Sequence, residues 1–339
     1  MIIVGVVAAA AVSALLCRPV IRLLERRAVV DVPVARSSHA VPTPRGGGVA
    51  PAVGASVGSL LAIGAGVGSI ATIVGIALAF GLLGLREDLC GVPAIRRLVT
   101  QVVLAVVGAA ALLAERDLTP LLLVFAPLAW AWLMAFVNAF NFMDGINGIS
   151  AVQASLAGSA WAAVGAWQDD QVLLATGAVV AAAAVAFLPF NFPRAKVFLG
   201  DTGSYFLGGW LAAMVVFAIL SGWTPEMALA PVLIYLADSG TTLVRRVVRR
   251  APLTEPHRDH VYQQLVIGGW SHARTTLVVA LGISVCCLLG AATMVDGTAT
   301  RVAADLGLVV VVLVYLAAPR WQARRRPTPS GLALTGGAR

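Results

Sequence analysis

The sequence predicts an all-α, polytopic membrane protein, and three observations carry that prediction. Of its 339 residues, 59% are hydrophobic and 12% charged, with mean hydropathy +0.90; soluble domains carry about a quarter charged residues. Apolar stretches close to the ~20 residues needed to cross a hydrocarbon core recur along the whole chain. The basic residues gather in alternate connections between those stretches, as the retention of positive charge on one membrane face requires.

Taken in order, eleven segments qualify as spans, near 2–23, 48–66, 68–85, 98–114, 120–138, 149–166, 171–190, 205–222, 226–244, 274–294 and 303–319. The expectation is therefore about 10–11 transmembrane helices. Residues 1–24 lack the basic leader of a secretory signal, and SALLC (13–17) has Leu where a lipoprotein-type cleavage site needs a small residue, so they read as a retained first span. The Gly/Ala-rich pair across 48–85 is the hardest to divide, and its small residues suit close helix contacts. Cys17, Cys90, Cys286 and Cys287 show no disulfide or zinc spacing. No internal repeat is visible, which disfavours repeat-built transporters. Residues 1–320 read as one integral membrane domain, and 321–339, with Arg324–Arg326 followed by Pro, Gly and Thr, as a disordered tail.

With the N-terminus outside and the C-terminus inside, 21 of the 24 Lys and Arg fall in the inner segments. The net charge of +8 is thus explained by cytoplasmic loops of a plasma-membrane protein, without nucleic acid. His39, His257, His260 and His272 fall on the same side, with Glu87, Asp88, Asp144 and Asp201, and with Asp238 within two turns of it. The chemically capable residues converge on one face.

Five inner stretches carry the chemistry. In NAFNFMDGINGIS (138–150), Asn138, Asn141 and Asp144 recur every third residue, so a continuing helix stacks them on neighbouring turns; Gly145 and Gly148 then allow a turn. In KVFLGDTGSYFLG (196–208), Asp201 stands at an expected helix N-terminus, able to hold Mg²⁺ beside a substrate phosphate or simply to cap the helix. Lys196 and Asn191 lie nearby. LREDLCGVPAIRRLVTQ (85–101) pairs Glu87 and Asp88 ahead of Arg96 and Arg97; two such carboxylates bind metal, accept a proton, or form an ordinary charged loop. RSSHAVPTPRGGG (36–48) offers Arg36, His39 and Arg45 with three glycines, a phosphate cradle or a plain loop, and not a Walker A sequence. In RRVVRRAPLTEPHRDHVYQQL (245–265), prolines interrupt the helix, and His257, Arg258 and His260 suit a diphosphate.

Together and in this order, PTPRGGG, REDL, NAFNFMDGING, VFLGDTGS and the His-containing last loop resemble the polyprenyl-phosphate N-acetylhexosamine-1-phosphate transferase family, across roughly residues 30–275. The resemblance implies an Mg²⁺-dependent phosphotransferase (Mn²⁺ as an alternative), in which polyprenyl phosphate attacks the sugar-linked phosphorus of a UDP-N-acetylhexosamine and UMP leaves. It implies Asp201 and Asp144 as metal ligands, Asp88 as the base acting on the lipid phosphate, and His260 in the catalytic group. It implies that Asn141 and Asp144 line the uridine-diphosphate pocket, that Phe198 stacks on uracil, and that His257, Arg258 and His260 face the diphosphate. Asn191 and Lys196 match polar family positions, and a homodimer is compatible with the family.

Three positions depart from the family pattern: Glu87 for Asp, Asn147 for a second Asp, and Arg96 for a frequent Lys. Asn147 lowers the negative charge available to a metal. The last loop, PHRDHVYQQL (256–265), lacks the run of adjacent histidines of the peptidoglycan branch and is closer to O-antigen-type initiators. The rival expectation is a transporter or flippase for an anionic nucleotide sugar or lipid, which requires ionisable groups near the midplane and on both faces.

Overall fold

The computed structural model describes residues 1–33, 41–62, 66–114, 116, 120–252, 255, 257–295 and 297–324. Arg36 and His39 lie outside the described residues, as does the tail from 325 onward. The chain is almost wholly helical: α1 (Ile2–Arg26), α2 (Val49–Ala62), α3 (Val67–Cys90), α4 (Ala94–Leu113), α5 (Pro120–Met143), α6 (Ile149–Trp167), α7 (Gln171–Asn191), α8 (Gly200–Leu220), α9 (Pro225–Leu229), α10 (Leu233–Val248), α11 (Val261–Ile267), α12 (His272–Ala292) and α13 (Thr298–Arg324). Two residue pairs, β1 (Val30–Asp31) and β2 (Thr43–Pro44), form the only described ladder, antiparallel.

Ten helical stretches are long and apolar enough to cross a membrane among the described residues. The sequence-based segment 48–66 is the exception. Its helix, α2, has 14 residues, about 21 Å at 1.5 Å per residue, less than a hydrocarbon core. Residues 321–324 of the expected disordered tail are helical, as the last turn of α13.

Small residues decide the packing. A Cβ on Gly5 would meet the Gly58 carbonyl at 2.4 Å, so α1 and α2 are in backbone contact, and α6 meets α7 the same way at Gly158 and Gly177. At the centre stands α8, whose spanning stretch is 89% buried, whereas α1 and α13 are mostly exposed and present residues such as Leu15, Leu306 and Val310 outward, as lipid-facing helices do. The span over 225–248 is broken: a 3₁₀ turn, Ala230–Val232, separates α9 from α10 at Pro231. The Pro231 carbonyl accepts from the buried Gln153 Nε2 at 2.7 Å.

Candidate active site

The first half of the site is the junction of α3, α8 and residues 43–48. A helix start leaves its first N–H groups without partners, and in α8 two of them are taken by a carboxylate from another helix. Asp88, one turn from the end of α3, accepts from the Asp201 N–H (3.0 Å) and from the Thr202 N–H (2.8 Å) and hydroxyl (2.7 Å). Arg45 Nε lies 2.9 Å from the same group, and its Nη2 lies 2.5 Å from Asp201 Oδ2. The Asp88 side chain is 1% exposed and lies outside the cavity wall. It is therefore the anchor of α8. In this arrangement its two oxygens already meet four donors, and it does not line the cavity in which the sequence reading expects it to act as base on a lipid phosphate.

The glycine run next to Arg45 also turns out differently from a phosphate cradle. The N–H groups of Gly47 and Gly48 donate to the carbonyls of Phe198 (2.9 Å) and Leu199 (2.8 Å), so they are consumed by chain–chain pairing. Absence of side chains is what matters here. A Cβ on Gly48 would stand 2.2 Å from Gly203 Cα, and one on Gly84 would stand 2.1 Å from the Asp201 carbonyl oxygen. RGGG, GDTG and the end of α3 are thus one close-packed joint that fixes Asp201 and Arg45 beside each other.

The end of α5 supplies the second half. The helix continues to Met143, so Asn138 and Asn141 share a face and Asp144 follows just beyond it. Asn141 Nδ2 donates to Asp201 Oδ1 and to Ser204 Oγ, both at 2.8 Å; Asn138 Nδ2 donates to Gln101 Oε1 (3.0 Å) and the Met134 carbonyl (2.8 Å). Gly148 turns the chain with φ +79°, and its N–H donates to Asn191 Oδ1 at 2.8 Å, while Asn191 Nδ2 holds the Val197 carbonyl at 2.9 Å. Asn191 is buried and works as a clamp between the two motifs. Asn147 donates to the Pro193 carbonyl at 3.0 Å.

The electrostatics follow from this crowding. Burial, reinforced by the neighbouring Asp201 and Asp88 and opposed by a Ser150 hydrogen bond and Arg45, pushes the Asp144 carboxyl up to about 7. Burial works against the charge on Arg45, yet Asp201 and Asp88 outweigh it and hold the guanidinium above its ordinary value.

The third contributor is the connection from α10 to α12. His260, which begins α11, is buried, and its ring stacks with those of His257 (centroids 5.2 Å apart) and Tyr262 (5.8 Å). Burial, with His260 and Arg246 beside it, lowers the His257 pKa. Arg246 Nη1 donates to Asp259 at 2.7 Å, which together with His257 holds that carboxyl below the usual range, and Arg246 also binds the Pro252 carbonyl. Tyr262 donates to the Phe142 carbonyl at 2.9 Å, tying α11 to the end of α5.

These parts enclose one cavity of about 1520 Å³. Its polar end is lined by Arg45, Asn138, Asn141, Asp144, Asn147, Asn191, Phe198, Asp201, His257, Arg258 and His260; Trp130, Met134, Leu236 and Leu243 of α5 and α10 form an apolar flank. Three expected residues lie elsewhere. Glu87 is outside the wall and pairs with Arg97 at 3.2 Å; Lys196 is exposed over the Phe190 ring; Arg96 is exposed while its neighbour Arg97 lines the cavity. One position along a helix is a turn of about 100°, and sequence alone did not set that register. Tyr262, Gln263 and Arg246 are lining residues the sequence reading did not single out, and Arg97 was named there without a role in the site.

Among the described residues no group of three or more His, Cys, Asp or Glu is already assembled around a metal position. The donor set still fits Mg²⁺, which takes one or two carboxylates and completes its shell with water and substrate phosphate. Asp144 and Asp201 face one cavity, and with Asp88 they outnumber the single Arg45 cation among them.

Comparison with known proteins bears on the same elements. The family described as Glycosyl transferase family 4 matches residues 70–219, the stretch carrying Asp88, Asn141, Asp144, Asn191 and Asp201. A probable undecaprenyl-phosphate N-acetylglucosaminyl 1-phosphate transferase of Bacillus subtilis is 33% identical over 46% of this chain and 44% of its own length, so the chain spans less than half of that relative. A decaprenyl-phosphate N-acetylglucosaminephosphotransferase of Mycolicibacterium smegmatis is 28% identical over 86% of this chain and 82% of its own. A phospho-N-acetylmuramoyl-pentapeptide-transferase of Bacillus pumilus is 30% identical over 60% and 67%. Since the match runs through the helices that build the joint and extends over two thirds of that last relative, this multi-pass membrane protein belongs to glycosyl transferase family 4.

Proposed function

We propose that the protein transfers N-acetylhexosamine 1-phosphate from a UDP-sugar to polyprenyl phosphate, at the cytoplasmic face, to begin a cell-surface polymer. The carrying observation is the shape of the cavity: a polar end with carboxylates, amides, imidazoles and arginines, continuous with an apolar flank along α5 and α10. From Trp130 to Asn141 the helix rises about 16 Å, enough for several isoprene units beside a phosphate held at the polar end. The sugar nucleotide enters from the side where the basic residues gather.

The reaction balances without a net proton. An oxygen of the lipid phosphate dianion bonds to the sugar-linked phosphorus, the bond from that phosphorus to the oxygen of UMP breaks, and UMP leaves as the dianion. A phosphate monoester has its second pKa near 6, so the attacking form dominates at neutral pH and no strong base is needed. This agrees with Asp88 being an anchor. Catalysis then rests on positioning and charge neutralisation. Asp201 and Asp144 would hold Mg²⁺, which when bound neutralises and orients the diphosphate. Arg45 keeps Asp201 aimed at the cavity, Asn141 fixes the other Asp201 oxygen, and His257, Arg258 and His260, which line the same cavity, would meet the diphosphate. Phe198 supplies a ring for the uracil.

A transporter would place ionisable groups along a path through both faces, whereas the cavity gathers them at one end. The test is UMP release by detergent-solubilised protein given polyprenyl phosphate, Mg²⁺ and, in turn, UDP-N-acetylglucosamine and other UDP-N-acetylhexosamines. Mass spectrometry of the lipid product identifies the sugar. Folded protein that releases no UMP with any of them overturns the proposal.

A further inference from the structure

Asp238 sits within α10, fully buried, and the mechanism above gives it no task. Its surroundings are unusual for a membrane span. Oδ1 lies 3.1 Å from His260 Nδ1 and accepts the Val261 N–H at 3.0 Å and, more distantly, the Thr242 hydroxyl at 3.4 Å. Oδ2 accepts the Tyr315 hydroxyl of α13 at 2.6 Å and the Tyr262 N–H at 3.4 Å. Apart from the His260 ring nitrogen, whose role depends on its tautomer, all these partners are donors, which is the pattern of a carboxylate. An isolated buried charge is costly and is kept where it has specific partners.

Facing a carboxylate, Nδ1 of His260 carries the proton, and Nε2 is left as the ring nitrogen for the cavity that His260 lines. We infer that Asp238, clamped by Tyr315, is a positioning residue that fixes the tautomer and ring direction of His260 so that Nε2 meets the diphosphate. The alternative is that Asp238 only caps α11. Ring direction is what separates the two, since a cap needs just the Val261 and Tyr262 N–H groups. Neither Asp238 nor His260 falls in the 70–219 family match, so that match leaves the pair unaddressed. The inference rests on the proposed function for the meaning of His260.

Two measurements decide it. In the UMP-release assay, Asp238→Asn lowers kcat about 30–100-fold with KM for the UDP-sugar within about threefold, the usual scale for removing a group that orients a reactive one. In a His260→Ala background the same substitution costs less than about threefold, because the group it acts through is gone. Equal losses in both backgrounds make Asp238 a cap and overturn the inference. The second measurement needs no activity: ¹⁵N spectra of histidine-labelled protein, assigned through His260→Gln, show the His260 proton on Nδ1 in the wild type and on Nε2 in Asp238→Asn. The same tautomer in both proteins overturns it. Should Asp238→Asn fail to fold, Tyr315→Phe is read instead, with about a threefold kcat loss and a shifted His260 resonance expected, and an unchanged resonance refuting. A wild-type protein that releases no UMP but shows the tautomer change refutes the proposed function and leaves the Asp238–His260 pairing standing.

Discussion

Replacing Asp88 by Asn removes a charge and half of the acceptor capacity at the point where α3, α8 and Arg45 meet. Four donors converge on a side chain that is 1% exposed: Arg45 Nε, the N–H groups of Asp201 and Thr202, and the Thr202 hydroxyl. The single Asn oxygen can retain two of them. The other two then face an NH₂ group that offers only hydrogens. Hydrogen bonds to a charged group contribute about 1.5–3 kcal/mol each, and Arg45, with 40% of its side chain exposed, counts at the low end because solvent screens it. The loss is about 3–5 kcal/mol, the scale found for breaking a buried ion pair. At about 2 °C per kcal/mol for a chain of this size, the unfolding midpoint falls about 6–10 °C.

The contrast variant is Asp201→Asn. Asp201 accepts from Asn141 and Arg45, and its loss removes one of the charges that reinforce burial in raising the Asp144 pKa. Its midpoint should stay within about 2 °C, the scale of a mild substitution, while UMP release collapses. Thermal unfolding in detergent, followed by tryptophan fluorescence beside the UMP assay, reads both variants. An unchanged midpoint for Asp88→Asn, with turnover lost as completely as in Asp201→Asn, would return Asp88 to the chemistry and refute the anchor argument.

Other perturbations are expected to sort as follows. Gly48→Ala places a Cβ 2.2 Å from Gly203 Cα and should abolish folded yield, whereas Gly75→Ala, with nothing within 4 Å, should express and unfold as the wild type does; size-exclusion profiles check both. Arg97→Ala should reduce kcat/KM at least tenfold, about the 1.4 kcal/mol of one charged contact, and Arg96→Ala less than threefold, since only Arg97 lines the cavity. Chelation by EDTA should stop UMP release and added Mg²⁺ restore it, without moving the unfolding midpoint by more than about 2 °C, because the protein carboxylates alone do not form a closed cage.

How much of this was legible in the sequence depended on which physical rule was local. Span lengths follow from bilayer thickness, so the helical stretches fell close to their expected places. Only α2 broke the rule, since composition does not reveal where an apolar helix stops when it packs against α1 and α7. The three-residue spacing of Asn138, Asn141 and Asp144 forecast their convergence, because helical periodicity is itself local. What escaped was set by tertiary contacts. The glycine triplet reads equally as a phosphate cradle or a plain loop until the N–H groups of Gly47 and Gly48 are seen paired with residues 198 and 199. Arg96 and Arg97 are indistinguishable without the register of α4. Asp238 passed unnoticed as a site residue because its partners come from α11 and α13, far along the chain.

Asp88 and Asp238 turn out to solve the same problem twice. Each is a buried carboxylate inside an apolar helix, and each accepts two N–H groups at the start of another helix, α8 or α11. A helix that begins within an apolar enclosure finds little water for its first N–H groups, so a carboxylate from a neighbour is the available acceptor. The arrangement also fixes what stands at that helix start, and in both cases it is a side chain lining the cavity: Asp201 in α8 and His260 at the head of α11. The anchors themselves are withdrawn from the cavity wall. At the α8 joint the anchor and the wall residue are different carboxylates, which is why Asp88→Asn and Asp201→Asn should separate in a thermal melt although both side chains meet Arg45.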